Sequence, residues 1–270
     1  MRPLSALPTR IRQWRRQRLI RREPIPESLW RDVTAGMPLL AGLSQAERGR
    51  LRDWATLFLA EKAFYGVDTE VSEALKVAVA AHAGLMVLGL DYALLSGWHT
   101  IVVYSGGFRA RYEAVDVAGV VHVEESALSG EAWLGGPLVL SEEDVWASAA
   151  ELDGFNLVIH ELSHKLDMLN GTANGHPPLH GGMRVAHWAA AFSDAYRHFR
   201  THPGRAHGEG IDPYAAESPA EFFAVLSETF FELPAVLQAA YPAVYAQLKA
   251  YYRQDPLQRL STPAQPRPRR

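Results

Sequence analysis

The segment of this 270-residue chain whose residue types and spacing can do chemistry is His160-Glu161-Leu162-Ser163-His164. It lies within Asn156 to Asn170, where Leu157, Val158, Leu162, Leu166 and Leu169 occupy apolar, helix-forming positions and Gly171 supplies a stop. On a helix, residues four apart sit one turn above each other, so both imidazoles can reach one ion at about 2.0–2.1 Å. Glu161 falls about 100° around from His160, which lets it miss the metal yet address a water on it. That is the arrangement of a zinc peptidase. About 0.03 chance matches to this five-residue pattern are expected in a chain of this length, and a pair of hydrogen-bonded core histidines is the competing reading.

Two histidines need a third ligand. The extended metzincin pattern requires a glycine and a histidine where this chain has Asp167 and Asn170. The best source is Asp212 to Glu228, in which Ser218-Pro219 marks a helix start and puts Glu221 in the first turn. Glu221 could equally complete a capping box with Ser218. Glu217, Glu221, Glu228 and Glu232 fall on one narrow arc at 100° per residue, so periodicity alone does not choose among them. Asp167, one turn beyond His164, is placed to orient a ligand imidazole or to pair with a nearby cation.

The elements that must position these groups follow from composition and pattern. Apolar residues make up 48% of the chain and charged residues 21%, a globular balance with length for one sizeable core. The absence of cysteine rules out disulfides, thiolate metal sites and a cysteine nucleophile, so any metal must be held by His, Asp and Glu. Val77 to Leu90 is too short to cross a bilayer and reads as a buried helix, and the N-terminus lacks a secretory signal, so the expected location is cytoplasmic. Residues 1–22 hold eight arginines and no acid, and three more end the chain; without those eleven charges the net charge of −3 becomes −14. Direct nucleic-acid binding by that body is excluded. The basic head could touch an anionic membrane or partner, but a frayed terminus folding back onto the acidic body is the expectation.

Residues 28–95 read as helical, with a capping box at Ser44 and Glu47. Strands are expected at Thr100–Tyr104, Val120–Glu124 and Leu138–Leu140, and helices from about Ser141, Asn156, Arg184, Pro219 and Ala235. Strands clustered between helical regions predict an α+β fold rather than βαβ alternation. The expected organisation is a flexible basic head (1–23), one unit over 24–260 with a mainly helical part (24–98) and a catalytic core (99–260), and a disordered Pro/Arg-rich tail (261–270). The Gly- and Pro-rich stretch 171–182 reads as a loop beside the active-site helix, and which strand would align a peptide is left open.

The runs Gly154–Asp167, Tyr214–Phe231 and Gln254–Leu260 together resemble the Mlc titration factor A family of bacterial zinc peptidases, over roughly residues 27–260. The resemblance implies a zincin-like core and a gluzincin-type site related to the anthrax lethal factor catalytic domain. One Zn2+ would be held by His160, His164 and Glu221, with Glu161 as general base and Tyr214 assisting the tetrahedral intermediate. It further implies hydrolysis of a peptide or protein substrate by a zinc-activated water, aminopeptidase-like cleavage, and a link to a glucose-responsive transcriptional repressor. The alternative from another class is a regulatory protein that sequesters a transcription factor around a structural or vestigial zinc. The intact Glu161 favours the enzyme, because a structural site needs ligands but no base.

Overall fold

The computed structural model describes residues 9–106, 135–202 and 210–261. Helices dominate, and one small sheet makes the fold α+β. The Arg-rich head, expected to fray, is helical over Thr9–Arg22 (α1). Arg16 anchors it, donating to Asp91 at 2.9 Å and standing over the rings of Tyr92 and Trp54, while Leu19 and Ile20 pack on the core.

After α2 (Glu27–Thr34), Ser44 and Glu47 form the expected capping box, each side chain taking the other's backbone N–H, and start α3 (Gln45–Glu61). After Lys62, the five residues Ala63–Val67 depart from the helix expected here and form β1. All but Phe64 of them are exposed, so no alternation marks them in sequence. Pairing alone makes them a strand: β1 runs parallel to β2 (Thr100–Tyr104), with Ala63 opposite Thr100. β2 pairs in turn, also parallel, with β3 (Leu138–Ser141). A parallel neighbour demands a crossover, and α4 (Glu73–Met86) provides it. The βαβ unit set aside at the level of sequence pattern therefore occurs among the described residues, as β1–α4–β2. The strand expected at 120–124 lies outside the described residues.

Helix α4 is buried through its second half: from Val77 to Met86 every residue is buried, including His82, whose Nδ1 meets the Ala78 carbonyl at 2.8 Å. It packs against α2, α3, α5 (Glu142–Ala150) and α6 (Leu157–Asp167). The chain continues with α7 (Val185–Thr201), α8 (Pro219–Glu232), α9 (Pro234–Ala240), α10 (Pro242–Tyr252) and α11 (Pro256–Ser261). Buried side chains from Ile25 to Tyr252 form one contiguous core. Gln254 donates to the Leu85 carbonyl, and Arg259 reaches the carbonyls of Leu39 and Ala41, tying the last helices to the first half of the chain. No helix among the described residues is long and apolar enough to cross a membrane. The tail beyond Ser261 lies outside the described residues.

Candidate active site

Helix α6 begins at Asn156, whose side-chain oxygen accepts the Ile159 N–H at 3.0 Å. Its two histidines project together: the Nε2 atoms of His160 and His164 are 3.2 Å apart. Ser218 caps α8 by accepting the Glu221 N–H at 3.1 Å, as the Ser-Pro signal predicts. The cap uses only the backbone of Glu221 and leaves its carboxylate to project elsewhere. Glu221 Oε2 lies 3.0 Å from Nε2 of His160 and 3.2 Å from Nε2 of His164.

Those distances are short enough for hydrogen bonds, yet Oε2 is buried and receives no directed hydrogen from either ring. Two imidazole nitrogens and one carboxylate oxygen within 4.8 Å of one another form a donor set that fits zinc. Burial alone would raise the pKa of Glu221, but the two imidazoles hold it far below the ordinary carboxylate range.

The rest of the acidic arc is not a solvated face. Glu217 is exposed and outside the cluster, whereas Glu228 and Glu232 are buried against the start of α6. Glu228 accepts from His160 Nδ1 at 2.7 Å with one oxygen and from the Asn156 N–H at 2.5 Å with the other. Glu232 accepts from the Gly154 N–H and the Asn156 side-chain amide. Helix α8 thus grips the head of α6 with two carboxylates and aims a third at its histidines.

The Nδ1 contact turns Nε2 of His160 toward Glu221, the division of labour between ring nitrogens common at metal sites. Burial would lower the pKa of His160, but Glu228 and then Glu221 raise it well above the ordinary imidazole range. Burial likewise raises Glu228, with His160 and the Asn156 N–H opposing, and pushes Glu232 up to about 8. The signal that could have singled out Glu228 is its company: an acid inside the apolar run Phe222–Phe231 must find a buried partner.

Glu161 is half-buried on the same helix. One turn on, burial pushes Lys165 down to about 8 while Glu161 opposes the shift. Lys165 Nζ donates to the Gly136 carbonyl at 2.9 Å, beside the start of β3. Tyr214, on the short turn Pro213–Ala216, places its ring 6.0 Å from that of His160. Asp167 has a different task from orienting an imidazole: its oxygens accept the backbone N–H groups of Asn174, Gly175 and His176 at 2.6–2.8 Å. It fastens the loop after α6, and the carboxylate behind a site histidine is Glu228.

With this geometry in view, kinship is informative. A family model described as glucose-regulated metallo-peptidase M90 matches residues 11–253. The chain is also similar to proteins named Mlc titration factor A. Those of Yersinia pestis (strain Pestoides F) and Yersinia pseudotuberculosis serotype O:1b (strain IP 31758) are each 41% identical over 229 residues, 83% of this chain and 84% of theirs. The family match reaches back to residue 11, so most of α1, which the sequence resemblance had left outside, lies within it. His160, His164 and Glu221 thus converge inside the span that the family model matches, and the chain belongs to the Mlc titration factor A family of glucose-regulated M90 metallopeptidases.

Proposed function

We propose that this chain is a cytoplasmic zinc peptidase with a zincin-like core, in which His160, His164 and Glu221 hold the metal. The observation that carries this reading is the convergence of those three atoms, with Glu161 on the same helix and Tyr214 beside His160. Zinc held there supplies Lewis acidity, polarising a peptide carbonyl and making water acidic enough to attack near neutral pH.

The protein's own groups do the rest. Glu161 takes the proton from the attacking water and delivers it to the leaving amine. The Tyr214 hydroxyl donates to the carbonyl oxygen as negative charge develops on it. Glu228 holds the His160 ring in register from behind, and Asp167 fixes the loop that follows the helix.

The test replaces Glu161 with glutamine. Because Glu161 is not a ligand, the variant should keep its zinc and fold while hydrolysis of a peptide library falls about 10²- to 10⁴-fold. Wild-type-like hydrolysis by zinc-replete Glu161→Gln would sink the mechanism. Aminopeptidase-like action is the finer form of the proposal, and faster cleavage of free than of N-acetylated peptides would support it. The relatives are named for titrating Mlc, and we extend to this chain the binding of a transcriptional repressor. Repressor binding by a zinc-loaded wild type that cleaves no peptide would favour a regulatory binder built around a structural metal.

A further inference from the structure

Helix α1 has two faces. At 100° per residue Arg16, Leu19 and Ile20 share one side, and that side docks: Arg16 donates to Asp91 at 2.9 Å and lies over the Tyr92 and Trp54 rings, while the two apolar side chains pack on the core. Ile11, Trp14, Arg15, Arg18, Arg21 and Arg22 fall on the other side, within an arc of about 120°. All six are exposed, Ile11 at 43% and Trp14 at 57%. The docking contacts fix the roll of the helix about its axis, so this second face looks outward.

The outward face joins two kinds of group that water alone does not satisfy together. Residues 1–22 contain no acid, so no carboxylate within the head offsets its guanidinium groups. Arg22 has Glu23 beside it at 3.7 Å, an exposed pair that contributes little. Arg18 stands over the Trp14 ring at 5.5 Å, which makes the indole and its neighbouring cations one continuous surface.

That surface is convex and lies along a single helix. A folded acidic partner would have to supply a pocket for Trp14, and a nucleic acid offers phosphates but no apolar layer for Ile11. An anionic bilayer supplies both requirements in one plane: phosphates at the level of the headgroups, and an apolar boundary just beneath them where tryptophan is favoured.

We propose that the outward face of α1 docks this protein on an anionic phospholipid bilayer. Arg15, Arg18, Arg21 and Arg22 meet lipid phosphates, while Trp14 and Ile11 enter the boundary between headgroups and acyl chains. The helix lies in the membrane plane, anchored from behind by Arg16, and the proposal does not depend on peptide hydrolysis.

It is tested by co-sedimentation of the full chain with vesicles of phosphatidylcholine alone or with about 30% phosphatidylglycerol. At about 0.1 M salt, binding to the anionic vesicles should be at least about 100-fold stronger, and about 1 M salt should remove most of that preference. Each arginine near such a surface is worth about fivefold, so the combined variant Arg15→Gln, Arg18→Gln, Arg21→Gln should bind anionic vesicles about 100-fold more weakly. These side chains are exposed, so its thermal unfolding should match wild type. Arg197→Gln removes an exposed arginine from α7, where it is paired with Asp194, and should bind as wild type does.

Insertion has its own readout. Anionic vesicles with brominated acyl chains should quench part of the tryptophan fluorescence of the bound protein, and Trp14→Phe should abolish that quenching while keeping affinity within about fivefold. The proposal is overturned by equal binding to the two vesicle types, by a triple variant that binds like wild type, by an Arg197→Gln loss as large as that of the triple variant, or by quenching that survives Trp14→Phe. Tighter binding of a DNA duplex than of anionic vesicles at equal phosphate concentration, lost in the same triple variant, would also overturn it and assign the face to nucleic acid.

Discussion

Replacing Glu228 by glutamine tests how the site is held together. The carboxylate receives two hydrogens from different directions, at 2.7 Å from His160 Nδ1 and 2.5 Å from the Asn156 N–H, and the side chain is fully enclosed. Glutamine keeps the shape, but one end of its amide is a donor, so whichever way it turns one buried N–H faces another. A misplaced buried hydrogen bond costs about 1–3 kcal/mol. If His160 loses its acceptor, the ring is no longer held with Nε2 toward Glu221, and zinc affinity should fall about 10- to 100-fold, or roughly 1.4–2.7 kcal/mol. If the Asn156 N–H loses it, the start of α6 loosens and thermal stability falls instead. Competition with a chromogenic chelator reads the first effect, and thermal unfolding with and without zinc reads the second. Glu217→Gln, on the same arc but exposed, is the control and should match wild type in both. A Glu228→Gln protein with zinc affinity within about twofold of wild type and unchanged stability would refute the argument, because with His160 Nε2 on the metal its Nδ1 and the Asn156 N–H both need an acceptor at this position.

Other expectations follow from the same contacts. Asp167→Asn should lower stability by about 1–3 kcal/mol by weakening the clasp on the 174–176 loop, while zinc affinity stays within about threefold of wild type; a 100-fold affinity loss at unchanged stability would restore Asp167 as the group behind a histidine. Burial raises Glu232 to about 8, so the folded state retains a proton that the unfolded chain releases near the ordinary carboxylate pKa. Its contribution to stability therefore falls as pH rises from about 4.5 to 8, by at most about 1.4 kcal/mol per pH unit. Glu232→Gln should flatten that fall in urea unfolding of metal-stripped protein at pH 5 and pH 8, and an identical pH dependence in both proteins would contradict the assignment. Arg16→Ala should cost about 1 kcal/mol through its contacts with Tyr92, Trp54 and the half-exposed Asp91, whereas unchanged thermal unfolding would mean that α1 contributes nothing to the fold.

The sequence by itself determined what is encoded locally. The five residues from His160 to His164 specify a helix face with two histidines and an acid, Asn156 and Ser218 mark helix starts, and Ser44 with Glu47 encodes a cap, because each depends on contacts within a turn or two. What only the tertiary structure decided involves partners far apart in the chain. Glu217, Glu221, Glu228 and Glu232 look alike at 100° per residue; their roles separate only when α8 is laid against α6, bringing His160 to a glutamate 68 positions away. β1 is a strand because β2 is beside it, not because its own residues alternate. The head forms a docked helix because Tyr92, Trp54 and Asp91 receive Arg16, and Asp167 serves a loop because three backbone N–H groups fold back onto it. Periodicity specifies which side of an element is polar or apolar; the partner a buried charge meets is set by packing, since an unpaired charge in the core would cost more than the fold can bear.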